Sequence, residues 1–215
     1  MSQQRLPSTI YHIAEEGNWP FIQQYGLLSA QALLEQVSLP TQKRSLLEQQ
    51  RTESLTLPRG ILIRDQKPMP PTALARCLHE MTPAQWYSLL NARVFFWLDP
   101  ERLNRMRGAM KERPQIVLSI DTERLLARYA EQVTLTPINT GNARRQPARR
   151  GAATFVPYTT WLQSGWLSES EALNTRPRPR SHQPVELTIT PAIPDVLDFI
   201  THVQRLPPLE HFVPH

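Results

Sequence analysis

The chain has 215 residues, a length that suits one domain with short insertions, and an ordinary apolar share of 40%. No apolar run is long enough to span a bilayer, Met1–Arg5 lacks the apolar core of a secretory signal, and Cys77 is the lone cysteine; these features exclude a disulfide scaffold and point to a cytoplasmic, membrane-free protein. The net charge of +5 is carried almost wholly by arginine, since Lys43, Lys67 and Lys111 are the only lysines, and a basic chain rich in Arg fits partners that carry phosphate.

In chain order, Ser8–Ala14 reads as a short strand containing Tyr11 and His12. Asn18-Trp19-Pro20 opens a helix, with Asn18 as its cap and Gly26 as its stop. A second helix covers Ser29–Ser38 and halts at Pro40, and Lys43–Glu53 is a polar helix or ordered loop. Gly60–Arg64 is an apolar strand, and Thr72–Glu80 is helical, with Cys77 in a packing role. Thr82-Pro83-Ala84-Gln85 carries the pattern of a capping box at the start of a helix to Leu90. Val94–Leu98 is an apolar strand, and a helix follows from Asp99 through Met110. Gln115–Ile120 is a strand, Asp121 caps a helix over Thr122–Ala130, and Val133–Ile138 is a further strand. The pattern breaks over Asn139–Ala153, a loop holding Arg144, Arg145, Arg149 and Arg150. Thr154–Val156 resumes a strand, Thr159–Trp166 is a short helix, and the prolines of Arg176–Arg180 keep that segment extended. Val196–Val203 is compatible with strand or helix; residues 1–206 form one domain, and the Pro-rich tail 207–215 is expected to fray. Mixed elements without strict alternation predict an α+β fold with a mostly antiparallel sheet.

The segment Val185–Thr190 sets one carboxylate on a β-branched strand. Val185, Leu187 and Ile189 share one face, and Glu186 shares the other with Thr188 and Thr190. Glu is depleted in strands, so Glu186 is either on a solvated outer face or a carboxylate held rigidly for chemistry. The glycine-rich nucleotide cradles and the G-x-S-x-G elbow are absent from the sequence. His211 and His215 are four apart, but Pro214 and the chain end oppose a helix there, so no metal site is expected.

Four strings resemble, in the right order, proteins of the ADP-ribosyltransferase fold, and among them the DNA-modifying toxins of the DarT type. They are Tyr11-His12-Ile13-Ala14 with Asn18-Trp19-Pro20-Phe21-Ile22 and Tyr25-Gly26-Leu27-Leu28-Ser29; Val94-Phe95-Phe96-Trp97-Leu98-Asp99-Pro100; Pro137-Ile138-Asn139-Thr140-Gly141-Asn142-Ala143; and Val185-Glu186-Leu187-Thr188. Ile63–Met69 together with Asn91–Trp97 resembles a related domain-of-unknown-function branch. The resemblance implies antiparallel sheets around an NAD cleft with peripheral helices, NAD as substrate, and a nucleic-acid acceptor in a toxin or phage-defence setting. It implies Glu186 as the catalytic carboxylate, Arg64 as the assisting arginine with Arg51 as its rival, and His12, Tyr11, Phe96, Trp97, Asn139 and Gly141 around NAD. The alternative reading of Arg64 is a structural ion pair, and that of Phe96 and Trp97 is plain core. The arginines 144, 145, 149 and 150, with Arg176–Arg180, are matched to phosphates, to an acidic antitoxin or to solvent. Other functions open at this point are an RNA 2'-phosphotransferase and a non-catalytic nucleic-acid or protein-binding module.

Overall fold

The computed structural model describes residues 5–37, 47–108, 112–144 and 147–214. The expected stop at Pro40, the start of the polar segment at Lys43, the helix end at Met110 and the loop residue Arg145 lie outside these residues. The strands are β1 (Thr9–Glu15), β2 (Leu27–Leu28), β3 (Leu55–Thr56), β4 (Leu62–Ile63), β5 (Val94–Trp97), β6 (Gln115–Asp121), β7 (Val133–Thr136), β8 (Val156–Pro157), β9 (Glu186–Ile189), β10 (Ala192–Ile193) and β11 (Ile200–Leu206). The helices are α1 (Trp19–Tyr25), α2 (Ala30–Gln36), α3 (Pro71–Ala75), α4 (Pro83–Asn91), α5 (Pro100–Gly108), α6 (Thr122–Tyr129), α7 (Tyr158–Ser164) and α8 (Leu167–Ala172).

Seven strands form one sheet in the order β11-β6-β1-β5-β9-β7-β8, and every pairing in it is antiparallel. This is the α+β class expected from the mixed elements. Alternation along the strands sorts the side chains onto two faces. One face carries Ile10, Val94, Phe96, Ile116, Leu118, Ile120, Leu135, Leu187 and Ile189, which pack with Leu125 of α6, Trp161 of α7, and Trp166 as the main core. The other face is divided. Tyr11, Ile13, Trp97 and Val117 pack beneath Leu103 of α5, with Val185, Leu206 and Phe212. Further along, Trp86, Tyr87 and Leu90 of α4 gather Leu74, Cys77, Ala143 and Phe155 into a separate cluster.

Local chemistry accounts for the element ends. Thr82 accepts from the Gln85 amide at 3.3 Å and Gln85 Oε1 accepts from the Thr82 amide at 2.8 Å, completing the expected capping box. Asp121 accepts from the Arg124 amide and caps α6, as its position predicts. Asn18 does not cap α1: its side-chain amide instead clamps the Leu62 backbone, donating to the carbonyl and accepting from the N–H, both at 2.9 Å. Gly26 ends α1 at φ 77°, and a Cβ there would lie 2.2 Å from the Ile193 carbonyl, so only glycine fits.

Several expectations are corrected. The helix around Thr72 stops at Ala75, leaving buried Cys77 in the following turn. Leu167–Ala172 is helical where no helix was expected. Val185 leaves the face of Leu187 and Ile189 and joins the Tyr11–Trp97 cluster. The tail does not fray: Phe212 is 2% exposed, its backbone exchanges two hydrogen bonds with the Asn104 side chain, and its ring meets Tyr11 edge-on at 5.1 Å. Arg107 fastens the same tail through the carbonyls of Pro207 and Glu210. Among the described residues, no helix is long and apolar enough to cross a membrane.

Candidate active site around Glu186

The register across β1, β5, β9 and β7 sets Tyr11, Trp97, Glu186 and Thr136 in one row. Directly opposed residues of an antiparallel pair point to the same face, so Glu186 stands beside Trp97 and Thr136. Its face is not the solvated one: the residue is 4% exposed. Glu186 lies where the two smaller clusters meet. Trp97 and Val185 belong to the first, and Ala143, from the loop after β7, belongs to the second.

Three donors converge on one oxygen of this carboxylate, although the single Thr136 hydroxyl proton also has the Ile138 carbonyl as an acceptor at 2.8 Å. Oε2 accepts from the Thr136 hydroxyl at 3.0 Å, the Thr140 hydroxyl at 2.8 Å and the Thr140 amide at 3.2 Å. None of the three reaches Oε1. Burial pushes the Glu186 pKa up to about 7, against the opposing pull of Thr140, Thr136 and the positive charge of Arg150. A carboxylate fixed in direction, with one oxygen engaged and the other free of those bonds, and balanced near neutrality, can stabilise a developing positive charge or take a proton.

His12 lies on the other face. Alternation turns it away from Tyr11 and towards Phe96, whose ring it meets edge-on at 5.7 Å. Between β1 and β9 runs β5, so His12 and Glu186 do not face each other across one cleft; the expectation of a shared cleft wall is corrected by the strand order and the alternation. β1 pairs with β5 at Tyr11 and Trp97 alone, and beyond that pair the strands part. His12 fills the gap, its Nδ1 bonding the Phe95 carbonyl at 2.9 Å. A carbonyl can only accept, so Nδ1 carries the proton and Nε2 is left as an acceptor. Burial, with Arg64 adding repulsion, lowers the His12 pKa to about 4, so the ring is neutral at pH 7.

At the parted end lies a cavity of about 170 Å³, lined by His12, Glu15, Asn18, Gly26 and Arg64 among others. Arg64 ends its strand, as read, but its partners are local. Nε meets Glu15 at 3.3 Å, Nη2 donates to the Ile13 carbonyl at 2.9 Å, and Nη1 approaches the Met106 sulfur. Arg113 shares Glu15 at 3.8 Å, so two guanidiniums attend one carboxylate beside the cavity. No contact joins Arg64 to Glu186. Arg51 is tied elsewhere, to the Arg64 carbonyl and the Asn91 side chain.

Trp97 and Tyr11 are both buried under Leu103 and Phe212, and Phe96 is wholly buried in the main core; all three sit as packing residues. Asn139 and Gly141 flank Thr140 and are half-buried beside the carboxylate. Thr140 and Thr136 are the contacts that the sequence reading missed, although Thr140 lies inside the quoted Gly-Asn-Ala loop.

The arginine-rich loop divides by burial. Arg144 and Arg149 are exposed, the latter bonded to His79 at 2.7 Å. Arg150 is 2% exposed, so its assignment as a phosphate contact is corrected: its guanidinium is engaged by protein carbonyls. Arg178 forks onto Glu169, itself fully buried, while Arg176 and Arg180 are exposed. His182 bonds the Pro137 carbonyl at 2.9 Å, which lays this second basic segment beside the start of the Glu186 loop. Among the described residues, no group of three or more His, Cys, Asp and Glu is placed to hold a metal ion.

No curated protein matches the chain. Among solved structures it is similar to Thermus sp. 2.9 DarT in complex with NAD+, at 15% identity over 92% of this chain and 81% of that one, with a TM-score of 0.41. It is similar to Thermosipho africanus DarTG in complex with ADP-ribose at 12% identity over 92% of this chain and 43% of that one, TM-score 0.40. The Thermus sp. 2.9 DarT complex with ADP-ribosylated ssDNA gives 14% identity over 89% and 80%, TM-score 0.39. A sequence profile matches residues 8–200, nearly the whole chain, and by that match the protein belongs to the family described as Family of unknown function (DUF7002).

Proposed function

We propose that this protein is an NAD-dependent ADP-ribosyltransferase that modifies nucleic acid, with Glu186 as its reacting-centre carboxylate. The observation that carries the reading is a buried glutamate on a central strand, gripped through Oε2 alone by Thr136 and Thr140. Breaking the bond between nicotinamide and ribose leaves an oxocarbenium-like sugar, as in glycoside hydrolysis. A fixed carboxylate opposes that charge as it forms, and it can orient or deprotonate the acceptor.

The cavity where β1 and β5 part is too small for a whole dinucleotide and takes one end of it. There Arg64, whose guanidinium is shared with Glu15, is offered to the diphosphate, while His12, turned to the face opposite Glu186, lines the cavity away from the reacting centre. Arg144, Arg149, Arg176 and Arg180 form a basic rim beside the Glu186 loop, suited to the backbone phosphates of an acceptor strand. Incubating the full chain with NAD labelled on the adenosine side, and with separate DNA, RNA and protein pools, tests this. Label transfer to a nucleic-acid pool, lost in Glu186→Gln, supports the reading; intact NAD in every pool contradicts it.

A further inference from the structure

Arg150 was the least expected residue near Glu186. It sits in a run of arginines, yet it alone among those described is sealed inside the protein. Its backbone is locked to the turn after α3: the Arg150 amide donates to the Cys77 carbonyl and the His79 amide donates to the Arg150 carbonyl, both at 2.8 Å. Gly151 follows, where a Cβ would stand 2.8 Å from the His79 carbonyl, so the chain passes this point in close backbone contact. The guanidinium lies 5.8 Å from the Trp86 ring centre. Its donors go to three carbonyls of its own loop: Nε to Ala148 at 3.1 Å, and Nη1 to Asn142 at 3.0 Å and Thr140 at 3.3 Å.

Thr140 is therefore held from both sides. Its carbonyl is fixed by Arg150, and its amide and hydroxyl are fixed on Glu186 Oε2. A buried guanidinium without a carboxylate in direct contact is costly unless it is hydrogen-bonded, and here carbonyls of its own loop engage Nε and Nη1. The residue that an apolar substitute would replace is also the positive charge that bears on Glu186. Cys77 faces Arg150 from the other side, and its thiol is held above its usual range by burial.

We infer that Arg150 is a positioning residue for Glu186: by gripping the Thr140 and Asn142 carbonyls it fixes the turn that seats Oε2, without itself touching the carboxylate. The chemical use of that carboxylate rests on the transferase reading above; the positioning itself does not.

Two readouts on the full-length protein test the inference without NAD. The first is the Glu186 side-chain carboxyl carbon signal in a ¹³C NMR titration, assigned by its loss in Glu186→Gln. In Arg150→Met its midpoint moves upward, because the Thr140 donors are no longer held on Oε2 and a nearby positive charge has been removed. The second is hydrogen exchange at the Thr140 amide, which accelerates roughly tenfold or more in the same variant as its turn loosens. Arg150→Lys separates the two effects. A lysine retains the charge but not the forked donors, so the midpoint returns towards that of the wild type while the Thr140 amide stays fast. A purely structural arginine would leave the Glu186 midpoint unmoved in a folded Arg150→Met protein, and that result overturns the inference. Should Arg150→Met fail to fold, Arg150→Lys carries the test alone: unchanged Thr140 exchange overturns the proposal. If the wild type consumes no NAD yet both readouts respond, the transferase reading fails and the positioning role stands.

Discussion

Thr140 supplies two of the three hydrogen bonds to Glu186, from its amide at 3.2 Å and its hydroxyl at 2.8 Å, and both end on the same oxygen. The relationship joins a loop to a central strand 46 residues away. It explains how a carboxylate at 4% exposure is kept in one orientation. Thr140→Val keeps the shape and the amide bond and removes the hydroxyl donor. A hydrogen bond to a charged group contributes about 1.5–3 kcal/mol, so the Glu186 midpoint should rise above 7 by about one pH unit, and turnover at neutral pH should fall several-fold. A carboxyl-carbon NMR titration checks the first and an NAD-consumption assay the second.

The raised pKa of Glu186 also fixes the sign of a stability effect. The folded protein binds this proton more tightly than the unfolded chain, whose reference value is 4.5. The stabilising contribution is therefore complete below pH 4.5 and is lost as pH rises through about 7. At roughly 1.4 kcal/mol per pH unit, the loss is on the order of 3 kcal/mol. Glu186→Gln abolishes this dependence, since the amide oxygen can still accept from Thr136 and Thr140. Urea unfolding at pH 5 and pH 8 should show the variant gaining on the wild type at the higher pH.

His12 acts in the opposite direction. Its folded pKa of about 4 lies below the reference of 6.5, so its contribution is complete above pH 6.5 and is lost as pH falls through 4. His12→Phe packs a neutral ring beside Phe96 and removes that acid sensitivity, while losing the bond to the Phe95 carbonyl. Thermal unfolding from pH 6.5 down to pH 4 should show a shallower decline in the variant than in the wild type.

Much of the sheet was legible because apolar runs and alternation are properties of consecutive residues: the strands at Thr9, Val94, Gln115, Val133 and Glu186 all fall on short apolar or alternating segments bounded by turn residues. The lone carboxylate was legible for the same reason. Alternation also separates Tyr11 from His12, but it does not say which face meets which partner, and so His12 was paired with Glu186 when it belongs with Phe96. The arginine loop hid the burial of Arg150 because four similar side chains in an irregular segment carry no periodic signal; Arg150 is distinguished only by carbonyls that come together in the fold. The alternative of an ion pair was open for Arg64 from its place after an apolar strand, but its partner Glu15 sits almost fifty residues away in sequence. The tail looked like a frayed Pro-rich end because its ties, the buried Phe212 ring and backbone carbonyls held by Arg107, are made to residues a hundred or more positions away that local sequence does not reveal.

Arg64→Met tests whether that arginine is held for structure. It leaves Glu15, 8% exposed in its side chain, with the more distant Arg113 alone. Breaking one side of a buried pair costs about 3–5 kcal/mol, and the denaturation midpoint should fall accordingly. An unchanged midpoint with lost NAD binding would instead assign Arg64 wholly to the ligand.

Phe212→Ala should destabilise the fold by about 3 kcal/mol, the usual cost of emptying a buried aromatic site, and speed hydrogen exchange over the 207–212 segment. An exposed, frayed tail would show neither effect.

The most direct measurement of the central claim is NAD turnover by wild type and Glu186→Gln side by side, across pH 5.5 to 8.5, with the NAD dissociation constant measured for each. The wild-type kcat/KM should climb through a midpoint near pH 7 as the carboxylate ionises. The Gln variant should bind NAD within about twofold of the wild type and turn it over at least about 100-fold more slowly, with no such climb, as expected when a charge acting mainly in the transition state is removed. A folded Gln variant that retains wild-type turnover would contradict the account.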